Sequence, residues 1–198
     1  MSVGLLLSGG MDSIALAYWL RPEFAFTVNY GQLAAGTEIR TAGHIASELG
    51  IKHVTIDVDC SSLGSGDLTG EAPNEHAPSQ EWWPYRNQLL VTLAAMKGIS
   101  LGITELQIGS VASDESHVDG RSCFIESLNE LLFMQEGGLT LSAPAINLTT
   151  TELVQKSQIP MSLLSWAHSC HTGNYACGTC RGCNKHRVIM RELGNVSY

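Results

Sequence analysis

The chemistry legible in this chain sits in two places, four cysteines near its end and six residues near its start. The cysteines are Cys170, Cys177, Cys180 and Cys183, out of six in the chain. Cys177-Gly178-Thr179-Cys180 and Cys180-Arg181-Gly182-Cys183 each put two residues between thiols, a spacing at which both sulfurs reach one ion about 2.3 Å away. Four soft ligands with nothing redox-suggestive beside them predict tetrahedral structural zinc. An iron–sulfur cluster and disulfides are the weaker readings of the same spacing. His168 and His171 flank the first cysteine, but a full thiolate set leaves them to surround the ion or face solvent rather than bind it.

The second place is Ser8-Gly9-Gly10-Met11-Asp12-Ser13. Glycines let a backbone approach an oxyanion closely, and the N–H groups and positive end of a following helix would face it. Ser8 and Ser13 add hydroxyl donors. Asp12 is out of place in an anion site unless it caps the helix or reaches a metal ion that travels with phosphates. The spacing is neither that of a Walker loop, which also needs a lysine, nor that of the dinucleotide glycine pattern. It resembles the SGGxDS pyrophosphate-binding loop of the ATP pyrophosphatase superfamily, whose members activate a carboxyl or carbonyl oxygen by adenylation.

Stepping from residues to elements, Val3 to Leu7 is an apolar run suited to a buried strand, and Ser13 to Leu20 has helical periodicity. Phe24 to Asn29 and Ile51 to Val58 predict further strands, with a helix over Thr37 to Leu49 stopped by Gly50. Arg86 to Ile99, Phe124 to Gln135, Thr151 to Gln158 and Asn184 to Leu193 predict helices, Thr149 or Thr150 capping the third. Strands follow at Glu105 to Ile108 and Leu139 to Leu141, with a polar loop over Gly109 to Ser122 and a short helical segment within Ile159 to Trp166. Alternating strands and helices predict an α/β fold with a doubly wound parallel sheet, ligands gathering at the carboxyl ends of the strands. We expect an ATP-binding domain over 1–160 and a helical zinc-binding appendage over 161–198, packed as one unit. The stretch from Cys60 to Pro84 is rich in Ser, Gly, Pro, Asn and Glu and too long for a plain connector. It is expected to be a functional or partner-facing loop, or partly disordered, and Trp82-Trp83 at its end could wall a pocket for a planar heterocycle, with core packing the expected fate of at least one of the pair.

A length of 198 residues suffices for one core and one site. A net charge of −8, with 15% charged residues, argues against a general nucleic-acid or membrane surface and for a small-molecule substrate. No apolar run approaches the ~20 residues of a spanning helix, and the N-terminus lacks the marks of a signal peptide, so the expected location is cytoplasmic.

Taken together the residues resemble the 7-cyano-7-deazaguanine synthase family of the queuosine pathway. The resemblance runs through Ser8 to Ser13, Tyr30-Gly31-Gln32 with Glu38-Ile39, Arg86-Asn87, Gly109, Asp114, Asp119, Arg121, Phe124, Leu128-Asn129 and the cysteines. It covers nearly the whole chain apart from residues 60 to 82. It implies ATP-dependent conversion of the carboxylate of 7-carboxy-7-deazaguanine into an acyl adenylate, attack by ammonia to give the amide, and a second activation that dehydrates the amide to the nitrile. On that reading Ser8, Gly9, Gly10, Met11, Asp12, Ser13, Tyr30 and Gln32 bind ATP with Mg²⁺. Arg86, Asn87, Asp114, Asp119 and Arg121 hold the deazaguanine and its carboxylate, and Asp12, Ser13, Arg86 and Arg121 carry the catalysis.

Three departures stand out. Tyr85 replaces the glycine before Arg-Asn, Gly120 replaces the cysteine of Asp-Cys-Arg, and Thr149-Thr150-Thr151 stands where a lysine is expected, with Lys156 or Arg40 left to compensate. A paralogue that stops at the amide, or joins the base to a partner protein's amine as synthase-like proteins of antiphage operons do, is therefore a second expectation. A third is sulfur transfer to tRNA, for which only Cys60 and Cys123 are free, and a fourth is a non-catalytic nucleotide-binding subunit. The apolar C-terminal helix beside the zinc knuckle suggests a homodimer.

Overall fold

The computed structural model describes residues 2–194. Five strands, β1 (Val3–Leu6), β2 (Phe24–Asn29), β3 (Lys52–Asp57), β4 (Glu105–Gln107) and β5 (Thr140–Ser142), form one parallel sheet in the order β3-β2-β1-β4-β5. Chain direction across the sheet reverses between β1 and β4. In a doubly wound sheet that reversal opens a crevice at the carboxyl ends of the strands. β1 runs straight into Leu7 and the glycine turn, so the turn lies at this crevice.

The connections are α1 (Met11–Leu20), α2 (Ala35–Leu49), α3 (Arg86–Ser100), α4 (Ser122–Phe133), α5 (Thr150–Ser157), the single turn α6 (Met161–Leu164) and α7 (Arg181–Glu192). One apolar cluster joins Leu5 and Leu7 to α1, α2, α5, α6 and α7, and a second packs Phe26 and Leu106 against α3 and α4, so the sheet is covered on both faces. Ile189 and Met190 place α7 in the first of these, the same core as the first strand. Thr149 is the cap of α5, in a reciprocal box with Glu152: the Thr149 hydroxyl accepts from Glu152 N at 3.2 Å and the Glu152 carboxylate from Thr149 N at 2.8 Å.

The 60–84 segment folds back on itself through two 3₁₀ turns, Ser61–Leu63 and Gly66–Leu68, with Asp67 N donating to Gln80 O at 2.8 Å. Gly66 is required here: its φ is +67°, and a Cβ would sit 1.9 Å from that carbonyl oxygen. Trp83 meets Tyr30 edge-on at 4.8 Å and is 3% exposed, so it is core. Neither indole of the Trp82-Trp83 pair reaches the central cavity.

Tyr85 explains why a glycine suits the position before Arg86. Its backbone is left-handed, φ 56° and ψ 22°, and its side chain is 79% exposed. That conformation costs an L-residue about 1–2 kcal/mol, partly offset by the greater unfolded-state entropy of glycine. Tyr85→Gly is expected to raise the melting temperature by roughly 1–3 °C, measured by thermal denaturation.

Candidate active site

α1 begins without a side-chain cap at Gly10, and the Gly9 backbone is left-handed at φ +79°, so the N-terminal amides of the helix open into the crevice. The Ser8 and Ser13 hydroxyls lie 3.2 Å apart and Ser13 Oγ donates to Gly10 O at 3.0 Å, which holds the turn in shape. Asp12 occupies the first turn. Burial pushes its carboxyl up, against the pull of Lys185 and the nearby Thr150 hydroxyl. Asp12 Oδ1 and Thr150 Oγ1 are both buried without a hydrogen-bond partner in normal geometry. Such orphaned oxygens suit a ligand that completes them.

The turn faces a cavity of about 530 Å³, within the range of small-molecule sites. Arg86, at the start of α3, lies deep in it. Burial works against its charge, but Tyr30, Asp119, Glu38 and Asp114 outweigh this and the guanidinium is held more firmly protonated than usual. Burial raises both Tyr30 and Glu38, leaving Tyr30 a neutral donor. Asn87 Nδ2 donates to Asp119 O at 3.0 Å, tying α3 to the 109–120 loop. At the rim, Glu81 is 7% exposed and accepts from Arg181, and His117 Nε2 lies 3.3 Å from the same carboxylate. Among the described residues, five carboxylates (Asp12, Glu38, Glu81, Asp114 and Asp119) line the cavity against three permanent cations (Arg86, Arg181 and Lys185). A polyphosphate entering that field needs a counter-ion.

Cys170, Cys177, Cys180 and Cys183 come together, with their sulfurs all within 4.8 Å of one another. Zn–S bonds of about 2.3 Å set an S···S edge of about 3.8 Å, so the four thiols fit one tetrahedral ion. Backbone N–H groups of Cys177, Cys180, His171 and Cys183 point at the sulfurs at 3.3–3.5 Å, as suits thiolates. The Thr172 hydroxyl and backbone amides hold Cys177 down at about 5, while burial pushes Cys183 up to about 12. A bound dication would keep both deprotonated. His171 meets the cluster only through its backbone, and His168 Nε2 lies 2.9 Å from Gly173 O, so neither imidazole is in the ligand set. His168 N donates to Gly9 O at 2.9 Å, which locks the knuckle to the glycine turn.

Of the residues expected at the site, Ser8, Gly10, Met11, Asp12, Ser13, Tyr30, Arg86, Asn87, Asp114 and Asp119 line this cavity. Gly9, Gln32 and Arg121 are not in its wall. Gly9 shapes the turn. Gln32 is 4% exposed, with its amide spent on Tyr30 N, Val28 O and Glu38, so it is a brace for the loop after β2. Arg121 precedes α4 as its cap residue. Cys60 and Cys123 are also absent from the wall, and Cys170, which does line it, belongs to the four-cysteine cluster, so neither cysteine left for sulfur transfer stands there. Lys156 lies over the Trp19 ring at 4.5 Å and Arg40 donates to Thr37, so neither compensates for a lysine at Thr150. The cation beside Asp12 is Lys185, which sequence reasoning missed: Nζ is 3.1 Å from Asp12 Oδ2 and 3.5 Å from Asp114 Oδ1. Glu81, His117 and Arg181 were missed as well, and Glu38, part of the family resemblance, was given no place in the site. No local motif marks the first three, since each reaches the cavity through long-range packing.

The family model described as "Queuosine biosynthesis protein QueC" matches residues 3–193. The chain is 32% identical over 218 residues to the 7-cyano-7-deazaguanine synthase of Desulforudis audaxviator, covering 97% of each. It is 30% identical over 202 residues to 7-cyano-7-deazaguanine synthase 1 of Desulfitobacterium hafniense, covering 96% of this chain and 91% of that one. Among solved structures, NMN synthetase from Francisella tularensis matches with a TM-score of 0.49 at 16% identity, over 100% of this chain and 79% of the other. Likeness at that level has no bearing on function. No helix among the described residues is long and apolar enough to cross a membrane.

Proposed function

Because the chain belongs to the QueC family of queuosine biosynthesis proteins, we propose that it is an ATP-dependent ligase that adenylates the carboxylate of 7-carboxy-7-deazaguanine and, with ammonia, carries it through the amide to 7-cyano-7-deazaguanine. The observation that carries this reading is the uncapped α1 N-terminus and its glycine turn opening into the same cavity as Arg86. One end of that cavity suits phosphates and the other a planar acid. A carboxylate expels oxygen poorly until that oxygen is bonded to phosphorus. The carboxylate attacks the α-phosphorus of ATP and pyrophosphate leaves. Ammonia then adds to the acyl carbon and AMP departs.

Each group in the cavity has a role in that sequence. The α1 amides and the Ser8 and Ser13 hydroxyls hold the departing pyrophosphate, and Arg86 orients the acid and spreads its charge. Asp119 and Glu38 accept from the guanine-like N–H edge. Asp12, with its orphaned Oδ1, and Asp114 would hold the Mg²⁺ that accompanies ATP and neutralises phosphate charge. The four thiols would hold zinc, which pins the start of α7.

Mass spectrometry of purified protein with Mg-ATP, 7-carboxy-7-deazaguanine and ammonium tests the proposal. Nitrile and two AMP per nitrile are the expected products. Amide and AMP with no nitrile would limit the chain to one activation and point to an amine acceptor other than ammonia. Absence of AMP and pyrophosphate with this acid would overturn the reading.

A further inference from the structure

We propose that Lys185 is the phosphate-facing cation of the site: in the ligand-free chain its ammonium neutralises Asp12 and Asp114, and when ATP binds it moves onto the phosphates and leaves those carboxylates to the divalent ion. The inference rests on the ATP reading above.

Among the described residues three permanent cations line the cavity, and their partners separate them. Arg86 lies with Tyr30, Glu38 and Asp119, and Arg181 is held at the rim by Glu81 and His117. Lys185 Nζ meets the glycine turn itself, at 3.1 Å from Asp12 Oδ2. Asp12 stands in the first turn of α1. An oxyanion seated on the N–H groups of that turn therefore comes within reach of Nζ by rotation of the lysine side chain alone. Its four-carbon stem gives that freedom, and 38% of the side chain is exposed.

The electrostatics favour the exchange. Lys185 lies between two carboxylates, Asp12 Oδ2 and Asp114 Oδ1, the second at 3.5 Å. This is an arrangement a divalent ion can take over. Asp12 keeps a second oxygen, Oδ1, buried near the Thr150 hydroxyl and outside normal hydrogen-bond geometry, where a divalent ion could complete it. Once a dication neutralises the two acids, the ammonium is released to the most negative group in the cavity. The charge that develops on pyrophosphate as it leaves then meets a cation already in place.

Two measurements on the full chain test this. The first is Mn²⁺ binding to the ATP-free protein, read by electron paramagnetic resonance. Lys185→Met is expected to bind Mn²⁺ at least tenfold more tightly than the parent, because the two acids lose their resident cation. Unchanged Mn²⁺ affinity overturns the counter-ion exchange. The second is acid-dependent exchange of labelled pyrophosphate into ATP. Lys185→Met is expected to lose about 100-fold in exchange rate, and Lys185→Arg, which keeps the charge, to recover at least tenfold of it. Exchange by Lys185→Met within threefold of the parent overturns the phosphate-facing role, and so does an arginine variant no better than the methionine one, since a structural tie would move stability and not exchange. If the parent shows no exchange with 7-carboxy-7-deazaguanine, the functional reading has failed instead, and the Mn²⁺ measurement still decides where Lys185 acts.

Discussion

Arg86→Leu is expected to lower kcat/KM for the deazaguanine acid by roughly 100- to 1,000-fold and the stability of the chain by about 3 kcal/mol. Both effects have one origin. Glu38, Asp119 and Asp114 all stabilise this guanidinium, and Glu38 is a carboxylate that burial already pushes up. Leucine leaves those acids facing one another without their cation, and a substrate carboxylate would meet them with no guanidinium between. Arg86→Lys separates the two consequences. A point charge restores most of the stability but not the two-pronged grip on a planar acid. Its melting temperature should approach that of the parent while kcat/KM remains at least tenfold down. Steady-state kinetics and thermal denaturation on the same preparations check the split. Equal recovery of both would mean that Arg86 matters only as charge in the fold.

Cys180→Ser is expected to release the metal and to do so without uncapping the helix it begins. Cys180 caps α7, its sulfur accepting from Cys183 N at 3.4 Å, and a serine hydroxyl fills that role at least as well. What the substitution removes is one of four ligands. Structural zinc sites are worth about 10–16 kcal/mol in all, or roughly 3 kcal/mol per ligand, so affinity should fall by at least ~100-fold. The parent is expected to carry one zinc per chain by metal analysis and the variant far less after dialysis against a chelator. Loss of the ion should also weaken ATP binding, because Arg181 and Lys185 both enter the cavity from the helix that the cysteines anchor. Gly182 shows how closely that first turn is fitted, since a Cβ there would lie 1.9 Å from Ser169 O. Retention of full zinc by the serine variant would remove Cys180 from the ligand set.

Much of this architecture was legible before the structure. The strand positions follow from short apolar runs, and the β1–turn–α1 unit and the cysteine spacing are local patterns whose physics needs nothing from the rest of the chain. The boundaries drifted by two residues where helices begin on small residues, as at Ala35 and Ser122, and by three at the start of α7. The site was legible only where its residues lie in such patterns. Gln32 illustrates one direction: it follows Tyr30 at a strand end, where ligands gather, yet its amide is taken up by Tyr30 N, Val28 O and the Glu38 carboxylate. Lys185 illustrates the other, since periodicity marks Ile189 and Met190 as the buried face of α7 but is silent on which distant acid a charged residue meets. Trp83 could by its type be pocket wall or core, and its packing against Tyr30 makes it core, the fate expected of at least one of the two indoles.

The distance along the chain between the partners of this site has a consequence during synthesis. Asp12 and Lys185 are 173 residues apart, Glu81 and Arg181 are 100 apart, and Thr37 meets Asn174 across 137. A ribosome adding about 5–20 residues per second takes roughly 10–35 s to pass from the first of these acids to its lysine. For that interval a nascent chain can carry a finished glycine turn and most of a sheet, but neither the cations of α7 nor the thiols that anchor it. The residues of α7 and of the cysteine cluster before it therefore complete the site, and a chain released before they are made would hold the glycine turn without the lysine that meets Asp12 or the arginine that meets Glu81.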